Sequence, residues 1–197
     1  RLAEKRLSFE EELPDLDLVI PSRTLREISL LLGKDDEKVQ VLQVEDENQI
    51  LFKVGDVCFA SRLLEGSFPN YKEVVPDQFS IEMETNREEL LKATQLASLF
   101  AESGSNVVRL NLDPAENKIA VTANTQEIGS NKVDVPAQGE GEKAKIAFNA
   151  KYLTDCLSAL SSEKVTFKMI ESLKPGLIQP KGEDDYLHVI MPVRVQE

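Results

Sequence analysis

Hydrophobic and polar positions change period along the chain, and they do so three times in the same order. Leu16, Leu18 and Ile20 alternate with Asp17, Val19 and Pro21, a period of two that predicts a strand with one buried face. Ser22 then predicts a helix cap; Leu25, Ile28, Leu31 and Leu32 fall at helical spacing, and Gly33 marks the stop. Three short strands follow: 39–44 into Asp46-Glu47-Asn48, 50–54 into Gly55-Asp56, and 57–64 into Gly66. The order is strand, helix, strand, strand, strand.

The same order returns at Phe79, where Phe79, Ile81 and Met83 alternate with polar residues. Asn86 with Glu89 three positions on forms a capping-box pattern, and Leu90, Ala93, Ala97 and Phe100 share a helix face. Strands are predicted at 107–112, 118–124 and 131–135. A third copy starts at Lys145: Asn149 is the cap, Leu153, Cys156, Leu157 and Leu160 form the buried stripe, and strands follow at 165–170, 176–179 and 187–191. One unit cannot cover both its helix and its sheet, whereas two side by side place a helix pair on one face of a shared sheet. The stretch 137–143 reads as a short linker between the second and third copies. Pro69 and Pro76 stiffen the link between the first and second, so the domains are predicted as 1–77, one incomplete unit, and 78–197, two units.

Composition narrows the chemistry. Asp and Glu outnumber Lys and Arg 35 to 23, a formal net charge of -12 that excludes a globally basic grip on nucleic acid and leaves only local patches. At 41% hydrophobic and 29% charged, the 197 residues have ordinary globular composition. No apolar run approaches the ~20 residues of a membrane span. Cys58 and Cys156 fit reduced thiols rather than a disulfide framework. His188 stands in a strand with no Ser or Cys partner, Gly104 and Gly129 read as turns rather than a phosphate loop, and Glu10-Glu11-Glu12 and Glu183-Asp184-Asp185 read as solvated loops. No catalytic residue, metal site or cofactor is expected. The opening Arg1-Leu2-Ala3, without Met or a leader pattern, reads as a piece of something longer. Two functional classes fit these observations: a DNA-associated protein working through local patches, or an acidic scaffolding module that never meets DNA.

Specific motifs favour the first. Ser61-Arg62-Leu63-Leu64-Glu65-Gly66-Ser67-Phe68-Pro69-Asn70-Tyr71 resembles the end of the middle domain in the bacterial DNA polymerase III beta subunit family, the sliding clamps. Val189-Ile190-Met191-Pro192-Val193-Arg194 is similar to that family's C-terminal signature, and Val107-Val108-Arg109-Leu110 and 118–124 resemble its third domain, all in collinear order. The resemblance implies an α+β DNA-clamp fold: repeated strand-helix-strand-strand-strand units with helices packed on one face of antiparallel sheets. In that family, three two-unit domains form a protomer and two protomers close as a homodimer ring around duplex DNA. The chain then corresponds to the second half of the middle domain and the whole C-terminal domain.

The implied function is that of a non-catalytic, cytoplasmic and nucleoid-associated processivity factor. Its implied partners are duplex DNA without sequence preference, and polymerase subunits, clamp loader and repair proteins carrying short Leu/Phe-rich motifs. A ring held by topology needs neither base readout nor tight phosphate binding, which would act as brakes on sliding. The resemblance offers Arg23, Arg26, Arg87, Lys92 and Lys151 as DNA-facing. It gives a partner-peptide groove walled by Leu2, Pro69 and Val74 on one side and Met191, Pro192, Val193 and Arg194 on the other, with Glu73 departing from a position often basic in relatives. Leu99 and Phe100 match the positions where family protomers meet.

Overall fold

Alternation and helical spacing turn into twelve strands and three helices in a computed structural model that describes residues 1–9, 14–32, 38–44, 48–76, 78–101, 106–125 and 129–195. The elements are β1 (Leu2–Lys5), α1 (Ser22–Leu31), β2 (Val39–Val44), β3 (Gln49–Val54), β4 (Val57–Arg62), a 3-10 turn (Tyr71–Glu73), β5 (Ile81–Asn86), α2 (Arg87–Ala101), β6 (Val107–Asp113), β7 (Lys118–Thr125), β8 (Gly129–Gly141), β9 (Ala144–Asn149), α3 (Ala150–Ala159), β10 (Lys164–Met169), β11 (Gly176–Pro180) and β12 (Tyr186–Ile190). The Glu10-Glu11-Glu12 run, the Gly33 stop, Asp46-Glu47, Asp77 and Gly104 lie outside the described residues.

The chain divides into two compact units, Arg1–Ser8 with Tyr71–Glu197, and Phe9–Asn70. The break therefore falls at Asn70/Tyr71, several residues before the boundary read from the prolines. The first eight residues join the larger unit because β1 pairs antiparallel with β12, Leu2 opposite Val189.

The larger unit is a nine-stranded sheet in the order β1-β12-β11-β10-β5-β8-β7-β6-β9, with α2 packed against α3. Its two copies exchange strands: β5 of the first pairs with β10 of the second, and β9 of the second pairs with β6 of the first. The helices open in the same way. Asn86 Oδ1 accepts from the N–H groups of Glu88 and Glu89, and Asn149 Oδ1 from those of Lys151 and Tyr152, satisfying donors that a helix start leaves free. They run antiparallel, since Arg87 N–H bonds Glu163 O beyond the end of α3 while Ala150 N–H bonds Asn106 O beyond the end of α2. Between helices and sheet lie Met83, Leu90, Leu110, Phe148, Leu153, Leu157 and Phe167, all essentially inaccessible, with Phe148 and Phe167 edge to face at 6.0 Å.

The stretch 137–143 is not a linker. β8 runs unbroken to Gly141; its first half pairs with β7 and its second, from Ala137, with β5, so one strand stitches the two half-sheets together. Glycine is what lets it approach: a Cβ at Gly139 would lie 2.0 Å from Glu82 O, and Gly141 adopts φ +111° against the backbone of Ser80 and Ile81.

The smaller unit holds the three-stranded sheet β2-β3-β4 and α1. Ile28, Ile50, Phe52 and Val54 are its buried core, with Leu18, Ile20 and Phe59 half-buried around them. Three expectations change here. Residues 16–20 form no strand; Val19 O accepts one bond, from Leu64 N–H. Pro21, not Ser22, occupies the cap position of α1, without a side-chain cap bond. The buried face of α1 is Thr24 and Ile28, while Leu25 and Leu31 remain 48% and 40% exposed, because one small sheet covers a narrower stripe than the sequence offers.

Candidate functional site

The segment 191–195 leaves β12 without joining a strand, as Pro192, which has no N–H to give a ladder, requires. Val193 N–H instead donates to Ala147 O of β9 at 2.8 Å, which fixes the segment across the end of the sheet. Met191 is 51% exposed, Pro192 and Val193 are half-buried and Arg194 is exposed. Through the β1–β12 ladder, Leu2 lies opposite Val189, two residues before Met191. Glu4 holds the next contact: Arg6 Nε donates to it at 2.6 Å and keeps its carboxyl below the usual range, and its hydrogen bond to Tyr71 raises the phenol's pKa. The Tyr71–Glu73 turn therefore lies beside β1. Val74, exposed, follows directly, its N–H donating to Tyr71 O. Leu2, Val74, Met191, Pro192, Val193 and Arg194 thus all belong to the larger unit, and Pro69 to the smaller one.

Sequence reading passed over Tyr152. It lies off the buried stripe of α3, 40% exposed, with the Arg1 guanidinium 4.7 Å from its ring centroid. Arg1 Nη1 also bonds Asp155 Oδ2 at 2.5 Å. An aromatic side chain on an otherwise polar helix face was the available signal, and Leu2, next to Arg1 in the chain, brings it to the neighbourhood of the tail.

His188, in β12 opposite Ala3, is buried and its pKa is pushed down to about 4, mainly by burial. Its Nδ1 meets Tyr186 Oη at 3.1 Å. Burial pushes the Cys156 thiol up to about 12, so it is a neutral core group. Among the described residues no cluster of His, Cys, Asp and Glu has the arrangement to hold a metal ion. Among them, too, no helix is long and apolar enough to cross a membrane.

The five cations proposed to face DNA fall into three situations. Arg23 and Arg26, on α1, are exposed and make no ion pair with a described residue. Lys92 pairs with Glu88 at 2.7 Å and Lys151 with Asp155 at 3.3 Å, each one helical turn away and mostly exposed. Arg87 is not a free cation: Nε donates to Ser162 O at 2.9 Å and Nη1 to Leu157 O at 3.2 Å, so it caps the C-terminal end of α3. At the end of α2, Leu99 is 60% exposed, whereas Phe100 packs partly against the core.

Comparison with known proteins places these features in a family. The family model for the C-terminal domain of the DNA polymerase III beta subunit matches residues 72–194, and the model for its central domain matches residues 1–70. The beta sliding clamp of Staphylococcus aureus (strain Mu50 / ATCC 700699) is 34% identical over 196 residues, 98% of this chain and 51% of that protein. A crystal structure of the DNA polymerase sliding clamp from Bacillus subtilis superposes with a TM-score of 0.90 at 33% identity, covering 98% of this chain and 51% of that one. The beta chain of DNA polymerase III from Streptococcus pneumoniae gives 0.89 at 34%, with the same coverage. The chain thus spans about half the length of the relatives it matches.

Proposed function

The chain belongs to the DNA polymerase III beta subunit family, and we propose that it works as part of a sliding clamp, a processivity factor that encircles duplex DNA and tethers polymerases to it. The observation that carries this reading is the collinear match of the central-domain and C-terminal-domain models to the two successive parts of the chain. The part is non-catalytic and works in the cytoplasm on the nucleoid. With a partner protomer it completes a homodimer ring, in which the exposed Leu99 at the end of α2 supplies apolar contact. Arg23 and Arg26, exposed and without an ion pair to a described residue, meet phosphates loosely, which keeps the ring mobile. The acidic scaffolding alternative loses its ground, since it accounts for neither family match.

Partner docking falls to the tail. Leu2, Val74, Met191 and Val193 offer exposed or half-buried apolar surface beside Arg194 and Tyr152. Leucine and phenylalanine side chains of polymerase subunits, the clamp loader or repair proteins bury against it, at about 25 cal/mol per Å² of apolar surface removed from water. Met191 adapts its shape to more than one such peptide. The test is fluorescence anisotropy with a labelled Leu/Phe-rich peptide. Saturable binding is expected, weakened about tenfold, equivalent to ~1.4 kcal/mol, by Met191→Ala or Leu2→Ala and unchanged by Arg23→Glu. Binding indifferent to both alanine variants would remove the tail from the docking surface.

A further inference from the structure

On the face of the larger sheet turned away from α2 and α3, the part formed by β6 to β9 gathers cations although the chain as a whole is acidic. Along β6, Val108, Leu110 and Leu112 are buried toward the helices, so Arg109 and Asn111 point the other way. With Lys118, Lys132, Lys143 and Lys145 they line an open concavity of about 1260 Å³. Five cations gather here in a chain of net charge -12, against three carboxylates. Asp113 is bound by Lys143 at 2.5 Å; Asp134 is shared by Lys118 and Lys132 at 3.5 Å each; and Glu116 lies 3.9 Å from Lys118. Arg109 and Lys145 make no ion pair with a described residue.

Register sets the geometry of that free pair. Arg109 is opposite Ala147 and Asn111 opposite Lys145, so Arg109 and Lys145 are diagonal neighbours, about 7–8 Å apart at the backbone. Alternate side chains of an extended peptide repeat at about 6.6–6.8 Å, so carboxylates two residues apart in a strand match the pair. Beside it, an adjoining cleft of about 320 Å³ is lined by the same two cations together with Leu173, Val193 and Val195, which gives an apolar side chain a place next to the acids. The concavity exceeds the ~300–1,000 Å³ of small-molecule clefts, which suits a chain segment.

We propose that this face binds an extended acidic peptide segment of a partner protein, with two carboxylates at i and i+2 on Arg109 and Lys145 and a neighbouring apolar residue in the Leu173–Val195 cleft. Arg109 supplies a planar fork that carboxylates fit, and the peptide's own N–H groups can meet the carboxylates and carbonyl-bearing side chains of the face. A duplex backbone offers acceptors alone, whereas a peptide also brings N–H donors that Asp134 and Glu116 can accept. Among the described residues no aromatic side chain lines the concavity on which bases could stack.

The experiment is fluorescence anisotropy of the whole chain with a fluorescein-labelled Leu-Glu-Ser-Glu-Ser-Glu peptide, its Gln-for-Glu counterpart and a 20-base-pair duplex. The acidic peptide is expected to bind saturably, at least tenfold tighter than the Gln peptide, with affinity falling as salt rises. Arg109→Glu combined with Lys145→Glu should abolish binding, and the milder Arg109→Gln should weaken it several-fold while leaving the unfolding midpoint and far-UV circular dichroism unchanged. Absence of binding to the folded chain, equal binding of the Gln peptide, or indifference to both variants overturns the proposal. So does a duplex that binds more tightly than the acidic peptide and is lost in the same double variant.

Discussion

The larger unit carries the strand-helix-strand-strand-strand order twice and the smaller unit carries its helix and three strands once, and their helices show what duplication supplies. α2 buries Leu90, Ala93, Thr94, Ala97 and Ala101, and α3 buries Ala150, Leu153, Cys156 and Leu157, because each helix packs on the other as well as on the sheet. α1 buries only Thr24 and Ile28. Leu30, on the same helix, is 76% exposed, and in β2 Val41 and Leu42 are 52% and 62% exposed. A helix on a three-stranded sheet has one covered face; a second helix is what turns an amphipathic stripe into a core. The repeat is therefore a half-core, and the pairing of halves, here through β5–β10, β6–β9 and the continuous β8, makes a domain.

That contrast can be broken by mutation. The largest effect is expected for Phe148→Ala, which empties an inaccessible site shared with Phe167. It should cost about 3–5 kcal/mol in chemical denaturation of the larger unit, whereas Phe52→Ala in the smaller core should cost about 2, since a thin core collapses around the space. Equal costs would mean that the two cores are equally well packed. Next, Gly139→Ala drives a methyl into Glu82 O and should cost about 1–3 kcal/mol, read as a lowered unfolding midpoint with amide protection lost along β5 and β8 together. Preserved protection in β5 would show that β8 does not stitch the half-sheets.

Asn149→Ala and Asn86→Ala each remove a cap at equivalent helix starts and should each cost about 1 kcal/mol, nearly equally if the copies are equivalent. The smallest effect at neutral pH is expected for the single histidine. Its folded pKa of about 4 lies below the unfolded value near 6.5, so the unfolded chain takes up the proton first. Stability linked to His188 is complete above pH 6.5 and is lost as pH falls from there to about 4. The larger unit should lose stability across that window, His188→Leu should flatten the loss, and the smaller unit, which has no histidine, should not share it. The measurement is urea denaturation at pH 7, 5.5 and 4.5.

Features decided by neighbouring residues were readable in the sequence. Asn86 and Asn149 could be named as caps because a cap bond spans two or three residues, and the stripes of α2 and α3 emerged from spacing alone. Features decided by distant pairing were not. The alternation at Leu16, Leu18 and Ile20 tells which side chains share a face but not whether a strand partner exists; none is found among the described residues, and Leu16 stays exposed. Glycines and polar residues made 137–143 read as a short linker, although Gly139 and Gly141 are there to let β8 press on β5. The charged opening hid β1, whose ladder partner lies over 180 residues away. At the site, the Met191-Pro192-Val193-Arg194 tail stood out as a motif. The role of Arg87 depended on the end of α3, and the outward row from Arg109 to Lys132 depended on register across β6, β7 and β8; neither has a local signature.

The central claim is that β1, the turn at Tyr71 and the tail beyond β12 form one docking surface. It is tested most directly by titrating the isotope-labelled chain with a Leu/Phe-rich peptide and following backbone amide resonances. The account predicts that saturable shifts concentrate on Leu2, Tyr152, Val74, Met191 and Val193, and that those of Ile50 and Phe52 in the smaller core stay still. Shifts centred on β2 to β4, or a folded chain whose tail resonances do not move at saturating peptide, would contradict it.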